Sequence, residues 1–199
     1  MKLNRSYQTM PTMKPKILQD PDDIVATLKA FYVENHVANF EDSKALYFSF
    51  RTAFANTGFH IHAEMAPPAP RLNLVTVVLD ELRPSKEECL EAANLLNNLC
   101  HFVSVTVLSD AERFALRSVL VVSDEGCLRS QIEPFATAHM AGVAQVGSLL
   151  GSFARLEINL ERLELELGTL AQQGEEAEAQ DTPANEDTPN AGRRHFEQN

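Results

Sequence analysis

The chain of 199 residues carries 28 acidic and 17 basic side chains, a formal net charge of -11, with 44% hydrophobic and 23% charged residues. That is the composition of one soluble globular domain, and its acidity excludes a general nucleic-acid binder, which needs clustered Lys and Arg to neutralise phosphates. No stretch approaches the run of about eighteen apolar residues that a membrane span requires. The opening MKLNRSYQTMPTMKPKI has lysines with no apolar core behind them; it does not read as a secretory signal, and a cytoplasmic location is expected. Cys89, Cys100 and Cys127 are odd in number and widely spaced, so they read as reduced, buried thiols rather than a disulfide framework.

Residues 1–18 are expected to form a flexible arm interrupted by Pro11 and Pro15. Asp20, Pro21, Asp22 and Asp23 then supply a cap, a first-turn proline and two acids at the positive end of a helix dipole. With Ile24, Leu28 and Phe31 on one face, they predict a helix over about 21–35. In KALYFSFRTAF, Leu46, Phe48 and Phe50 alternate with Tyr47, Ser49 and Arg51 as in a half-buried strand, although Leu46, Phe50 and Phe54 also share a helical face. Asn56, Thr57 and Gly58 read as a turn, FHIHAEM resumes the alternation, and APPAP ends it. RLNLVTVVLD gives a third strand with Leu72, Leu74 and Thr76 on one side.

Ser85 with Glu88 three residues later is a capping box. The helix it opens places Cys89, Ala92, Ala93, Leu96, Leu99 and Cys100 on one face and Glu87, Glu91, Asn94 and Asn98 on the other. HFVSVTVLSD and RFALRSVLVVSD form a hairpin through the polar SDAE turn. After Gly126, apolar residues recur at helical spacing from Leu128. The order α-β-β-β-α-β-β-α predicts an α+β fold with a mainly antiparallel five-stranded sheet and helices on one face. The domain is expected over residues 19–155, with a helical extension over 156–170. Residues 171–199, with seven acids against Arg193 and Arg194, read as an acidic disordered tail.

This order resembles the type III secretion chaperone-like fold. The stretch from about 71 to 150 is similar to the YbjN family, which shares that fold. The residues carrying the likeness are the strand LNLVTVVL, the helix ending AANLLNNLCHF, the hairpin VSVTVLSDAERFALRSVLVV and the helix from CLRSQIEPF. The resemblance implies a bacterial regulator, or a protein like the secretion chaperones, which are small acidic dimers that hold a partner polypeptide in extended form. Neither group brings catalytic residues. The long C-terminal extension departs from the chaperone pattern.

Four features invite a chemical reading. Cys100 and His101 are adjacent, but neighbours at a helix–strand junction point apart, and a nucleophile pair needs side chains that meet. His60, His62 and Glu64 share one strand face and are the candidates for a metal site, though zinc wants three or four convergent ligands. Asn94, Asn97 and Asn98 suit a ligand amide, or a structural role bonding nearby backbone. Gly142, Gly147 and Gly151 either permit close helix packing or weaken the helix. Leu128, Ile132, Phe135, His139, Gly142, Val146, Leu149, Phe153, Leu156, Leu160, Leu163, Leu167 and Leu170 follow a strict 4-3 spacing. From Val146 onward every member is apolar, a coiled-coil-like seam of about three and a half heptads, for its own domain or for a partner.

The sequence therefore predicts a non-enzymatic protein-binding module, a regulator or chaperone-like adaptor, with no assigned catalytic, cofactor or metal residues. Its expected partner is another polypeptide, or a second copy in a homodimer, with neither nucleic acid nor membrane. The alternatives are a metal-binding protein or enzyme using His60, His62 and Glu64, and a structural subunit of a larger assembly.

Overall fold

A computed structural model describes residues 17–35, 39–66, 71–99, 103–108, 112–123 and 126–181, with the side chains of 99 and 171–181 left aside. The strands are β1 (Ile17–Leu18), β2 (Phe40–Lys44), β3 (Tyr47–Phe54), β4 (Thr57–Ala66), β5 (Arg71–Val78), β6 (Ser104–Leu108), β7 (Arg113–Val121) and β8 (Cys127–Leu128). The helices are α1 (Pro21–Glu34), α2 (Lys86–Leu99), α3 (Arg129–Gly142), α4 (Ser148–Ala154) and α5 (Leu160–Asp181), with a π turn over Val143–Gly147 between α3 and α4. β2 to β7 form one sheet in the order β2-β3-β4-β5-β7-β6, and every pairing is antiparallel. β1 and β8 form a separate two-stranded ribbon.

The expected α+β class and antiparallel sheet are present, but the count of five strands is corrected to six plus the ribbon. The added sheet strand, FEDSK, looks like a polar loop. It joins because Phe40 stacks edge-on against Phe48 and Phe50, with ring centroids 5.2 and 6.0 Å apart, and an edge strand needs a ladder on one side only. The ribbon takes Ile17 and Leu18 out of the expected arm, Leu18 being buried. Residues 1–16 and the Pro67–Pro70 break lie outside the described residues. The turn expected at Asn56, Thr57 and Gly58 falls instead on Ala55 and Asn56, both at positive φ, and Thr57 and Gly58 already belong to β4. A two-residue turn with both residues left-handed matches the twist of the strands it joins.

The helix starts follow their caps. Asp20 accepts the Asp22 N–H at 3.0 Å. Ser85 and Glu88 close their box in both directions, Ser85 N–H donating to Glu88 Oε2 at 2.9 Å and Glu88 N–H to Ser85 Oγ at 3.3 Å. α4 ends in a Schellman motif, with Glu157 N–H bonded to Ser152 O and Leu156 N–H to Phe153 O. Leu156 fills the left-handed position that glycine usually takes, at φ 62°.

Inward residues alternate along each strand and carry two apolar clusters. One joins Phe59, Val78, Phe114, Leu116 and Val105 to α2, α4 and α5. The other joins Phe48, Phe50, Ile61, Leu72 and Leu74 to α1 and α3. Between them the α3–α4 rod lies very close to the sheet. A Cβ on Gly142 would stand 2.8 Å from a Val103 methyl, and one on Gly147 would stand 2.6 Å from the Phe59 ring. A Cβ on Gly151 would collide with the Thr57 side chain. Of the two sequence readings of these glycines, close packing is the one realised.

The π turn explains why one seam does not survive. In an α-helix, residues five apart diverge by about 140° around the axis. The extra residue of the π turn removes most of that and sets Gly142 and Gly147 on one side. The buried positions then shift, so Leu150 is fully buried while Leu149 is only partly so. The rod breaks after Ala154, leaving Leu156 59% exposed. α5 folds back on α2 and buries Leu163 and Leu167 there. The extension expected at 156–170 thus begins its helix at Leu160 and carries it to Asp181, into residues expected to be disordered. Ala, Glu and Gln, which dominate 171–181, are strong helix formers. Residues 182–199 lie outside the described residues.

Two substitution tests follow from this packing. Gly151→Ala is expected to destabilise the fold by about 1–3 kcal/mol in urea titration, whereas Gly168→Ala, whose new methyl meets nothing within 4 Å, gains up to about 1 kcal/mol from helix propensity. The Tyr32 hydroxyl is buried with no hydrogen-bond partner among the described residues, and burial raises its pKa. Tyr32→Phe is therefore expected to leave the Tm unchanged or raise it, since it removes an unpaired polar atom.

Candidate functional site: the uncovered face of the sheet

The helices occupy one face of the sheet. Outward residues of β3, β4, β5, β7 and β6 line the other in cross-strand rows fixed by register. One row runs Ser49, His62, Val75, Arg117, Ser104 and the next Arg51, His60, Val77, Ala115, Thr106, with Ser49 and Ala115 buried among their neighbours. A third holds Tyr47, Glu64, Asn73 and Val119. Val119 and Val121 are 53% and 70% exposed, and no described element covers them. The surface is mixed: on β5 and β7 the outward valines stand among Arg71, Asn73 and Arg117, while β3 and β4 carry the imidazole and aromatic rings.

On β3 and β4, Tyr47 Oη lies 3.0 Å from His62 Nδ1, and the His60 and His62 rings stand 4.2 Å apart. A bulge in β2 brings Glu41 onto this face. There Glu41 meets Arg51 Nε at 3.2 Å, with His60 Nε2 at 3.6 Å from its other oxygen. Burial lowers the pKa of His62, and the neighbouring His60 lowers it further against a smaller opposing pull from Glu64. Sequence reading singles out His60, His62 and Glu64 but misses Glu41 and Tyr47, whose arrival depends on a bulge and on register.

The geometry does not gather the three expected ligands. Among the described residues, no three His, Cys, Asp or Glu side chains converge as a metal would require. Glu64 turns to Asn73 Nδ2 at 3.5 Å, and His62 Nδ1 is taken by Tyr47. Cys100 and His101 lie outside the described residues. Cys89 and Cys127 are buried, and burial raises both thiol pKa values, which keeps them as unreactive thiols.

A serine–histidine pair does occur, on the helix-covered side. His139 of α3 is fully buried, its Nδ1 2.8 Å from Ser118 Oγ and its Nε2 2.8 Å from Thr76 Oγ1. The ring is closed off from any substrate, and its second partner is a hydroxyl instead of the carboxylate that stabilises an imidazolium in a triad. Burial depresses its pKa to about 4. This is a neutral structural histidine joining a helix to β5 and β7. Its signal in the sequence is that Thr76 and Ser118 stand at inward phases of their strands, where only a bonded polar group is tolerated.

Of the asparagines, Asn97 has the clearest role. Its Nδ2 donates to Val105 O at 2.9 Å and its Oδ1 accepts from Val105 N–H at 2.7 Å. The amide thereby copies a strand neighbour at the β6 edge of the sheet. Asn94 and Asn98 are exposed. The β2 edge is defended differently, by the exposed charges Glu41, Asp42 and Lys44. Both edges thus carry features that oppose strand addition, Asn97 at Val105 and the charges of β2.

No family model, curated protein or solved structure matches this chain. Among the described residues, no helix is long and apolar enough to cross a membrane.

Asn97→Ala should cost about 1–3 kcal/mol, because it strands the Val105 amide and carbonyl at a partly buried edge. It should also raise the rate of thioflavin-positive aggregation, since the edge then offers free backbone groups. Unchanged stability and aggregation would show that the Asn97 clamp has no such role.

Proposed function

We propose that this protein is a non-enzymatic polypeptide-binding module, a cytoplasmic bacterial regulator or chaperone-like adaptor of the YbjN and secretion chaperone-like kind, with the uncovered sheet face as its docking surface. The observation that supports this most is the pair of strongly exposed valines on that face, Val119 and Val121, which stand in register with Asn73 and Arg71. Exposed apolar side chains on a sheet face that no described helix covers form a surface that a partner can cover. The C-terminal helix, the other surface suggested by the sequence, has Leu163 and Leu167 buried with the α2 cluster, while Leu165 stays 58% exposed. The burial of Leu163 and Leu167 favours the sheet face over the last helix in this reading and weakens the case for an assembly subunit held by that helix.

The test is a pair of substitutions, Val119→Glu with Val121→Glu, on strongly exposed positions where the fold should change by no more than about 0.5 kcal/mol. A protein recovered in stoichiometric amount from native extract by the unmodified chain should be lost with the double variant. Sedimentation of the purified chain identifies a second copy as occupant if a dimer dissociates on the same change. Retention of the partner by the double variant would remove the face from the reading. Stoichiometric zinc lost on His62→Ala would replace it with the metal-binding alternative.

A further inference from the structure

We propose that α3 is an acid-released cover: placing a proton on His139 detaches this helix from the sheet and opens its seat on β5 and β7 while the central strands stay paired. The inference is independent of the docking surface, which lies on the opposite face.

The geometry of the seat carries it. His139 is fully buried and is held at both ring nitrogens, each 2.8 Å from a hydroxyl, one on β5 and one on β7. A neutral imidazole satisfies that arrangement, because one nitrogen donates and the other accepts. A charged ring has two N–H groups and a formal charge to solvate, and the elements around it supply no counter-charge. From α1 come Ile24, Leu28 and Tyr32; from β8 comes Cys127. Tyr32 and Cys127 are the titratable groups in that cluster, and burial keeps both protonated and neutral. The Arg129–Glu133 pair of α3 and Glu34 of α1, which acts on Arg129, belong to the exposed side of the helix pair. Burial is the cause that lowers the His139 pKa, with no charged neighbour contributing.

The position of the ring makes the response local. Thr76 lies between Leu74 of one apolar cluster and Val78 of the other, and Ser118 lies between Leu116 and Leu120, which divide the same way. The charge therefore develops at the boundary between clusters, under α3. Since the folded pKa is about 4 against an ordinary 6.5, the stabilisation is full above about pH 6.5. It falls as the pH drops towards 4, by up to about tenfold in the closing equilibrium per pH unit.

Hydrogen exchange of the full chain, corrected for intrinsic rates, tests this between about pH 7 and 4.5. Protection of amides in Ile132–Gly142 is expected to fall at least tenfold, while Ile61–Met65 and Leu72–Leu74 keep theirs. His139→Gln, which retains hydrogen bonding without titrating, should hold α3 protection within about threefold over the same range. The proposal is overturned if unmodified α3 keeps its protection, if the His139→Gln protein loses it equally, or if helix and strands open together. Should that variant not fold, imidazole NMR of the unmodified chain decides: protonation of His139 must accompany the loss of α3 protection, and loss with the ring still neutral overturns the proposal.

Discussion

The close approach of the α3–α4 rod to the sheet is the constraint on which the rest of the molecule rests. At Gly142, Gly147 and Gly151 the helical backbone meets Val103, Phe59 and Thr57 with no room for a β-carbon. That contact ties the rod to β4 and to the chain just before β6. It places His139 within reach of Thr76 and Ser118, and it makes the π turn necessary, because only an inserted residue aligns glycines five apart. It also ends the rod beside β4, where Arg155 reaches Asp80 at 2.9 Å and Glu157 at 2.7 Å. Glu157 pulls the Arg155 pKa up and is itself held well below the usual carboxylate range by Arg155 and Ser152. The chain then turns through a left-handed Leu156 and sends α5 back over α2.

The two faces of the sheet consequently obey different rules. On the covered face Thr76, Ser118 and His139 satisfy one another, while the Tyr32 hydroxyl is buried there without a hydrogen-bond partner among the described residues. On the uncovered face Tyr47, His60 and His62 lie on β3 and β4, and the valines of β5 and β7 stand among Arg71, Asn73 and Arg117.

Much of this was legible from the residues. Asp20 and Ser85 with Glu88 announced two helices, and the alternation in FHIHAEM, RLNLVTVV and SVTVL announced strands, because both signals depend on neighbours in the chain. The features that escaped depend on contacts distant in sequence. FEDSK is a strand on account of Phe40 meeting Phe48 and Phe50. The 4-3 spacing from Leu128 continues across the π turn and across the break at Leu156, since a sequence pattern does not register an inserted residue or a reversal of direction. Of the open face, His60, His62 and Glu64 could be placed together from period-two spacing, while Tyr47 and Glu41 could not, because cross-strand register and a bulge decide their position.

The treatment of the sheet edges has a consequence for how the molecule can add to itself or to others. A sheet that grows by its edges adds strand to strand without limit, and the product is an open fibre. Here Asn97 blocks one edge and the charges of β2 guard the other, leaving a single free surface whose occupation adds one layer. Association through that face, as proposed above, would add a layer and not extend the sheet strand by strand.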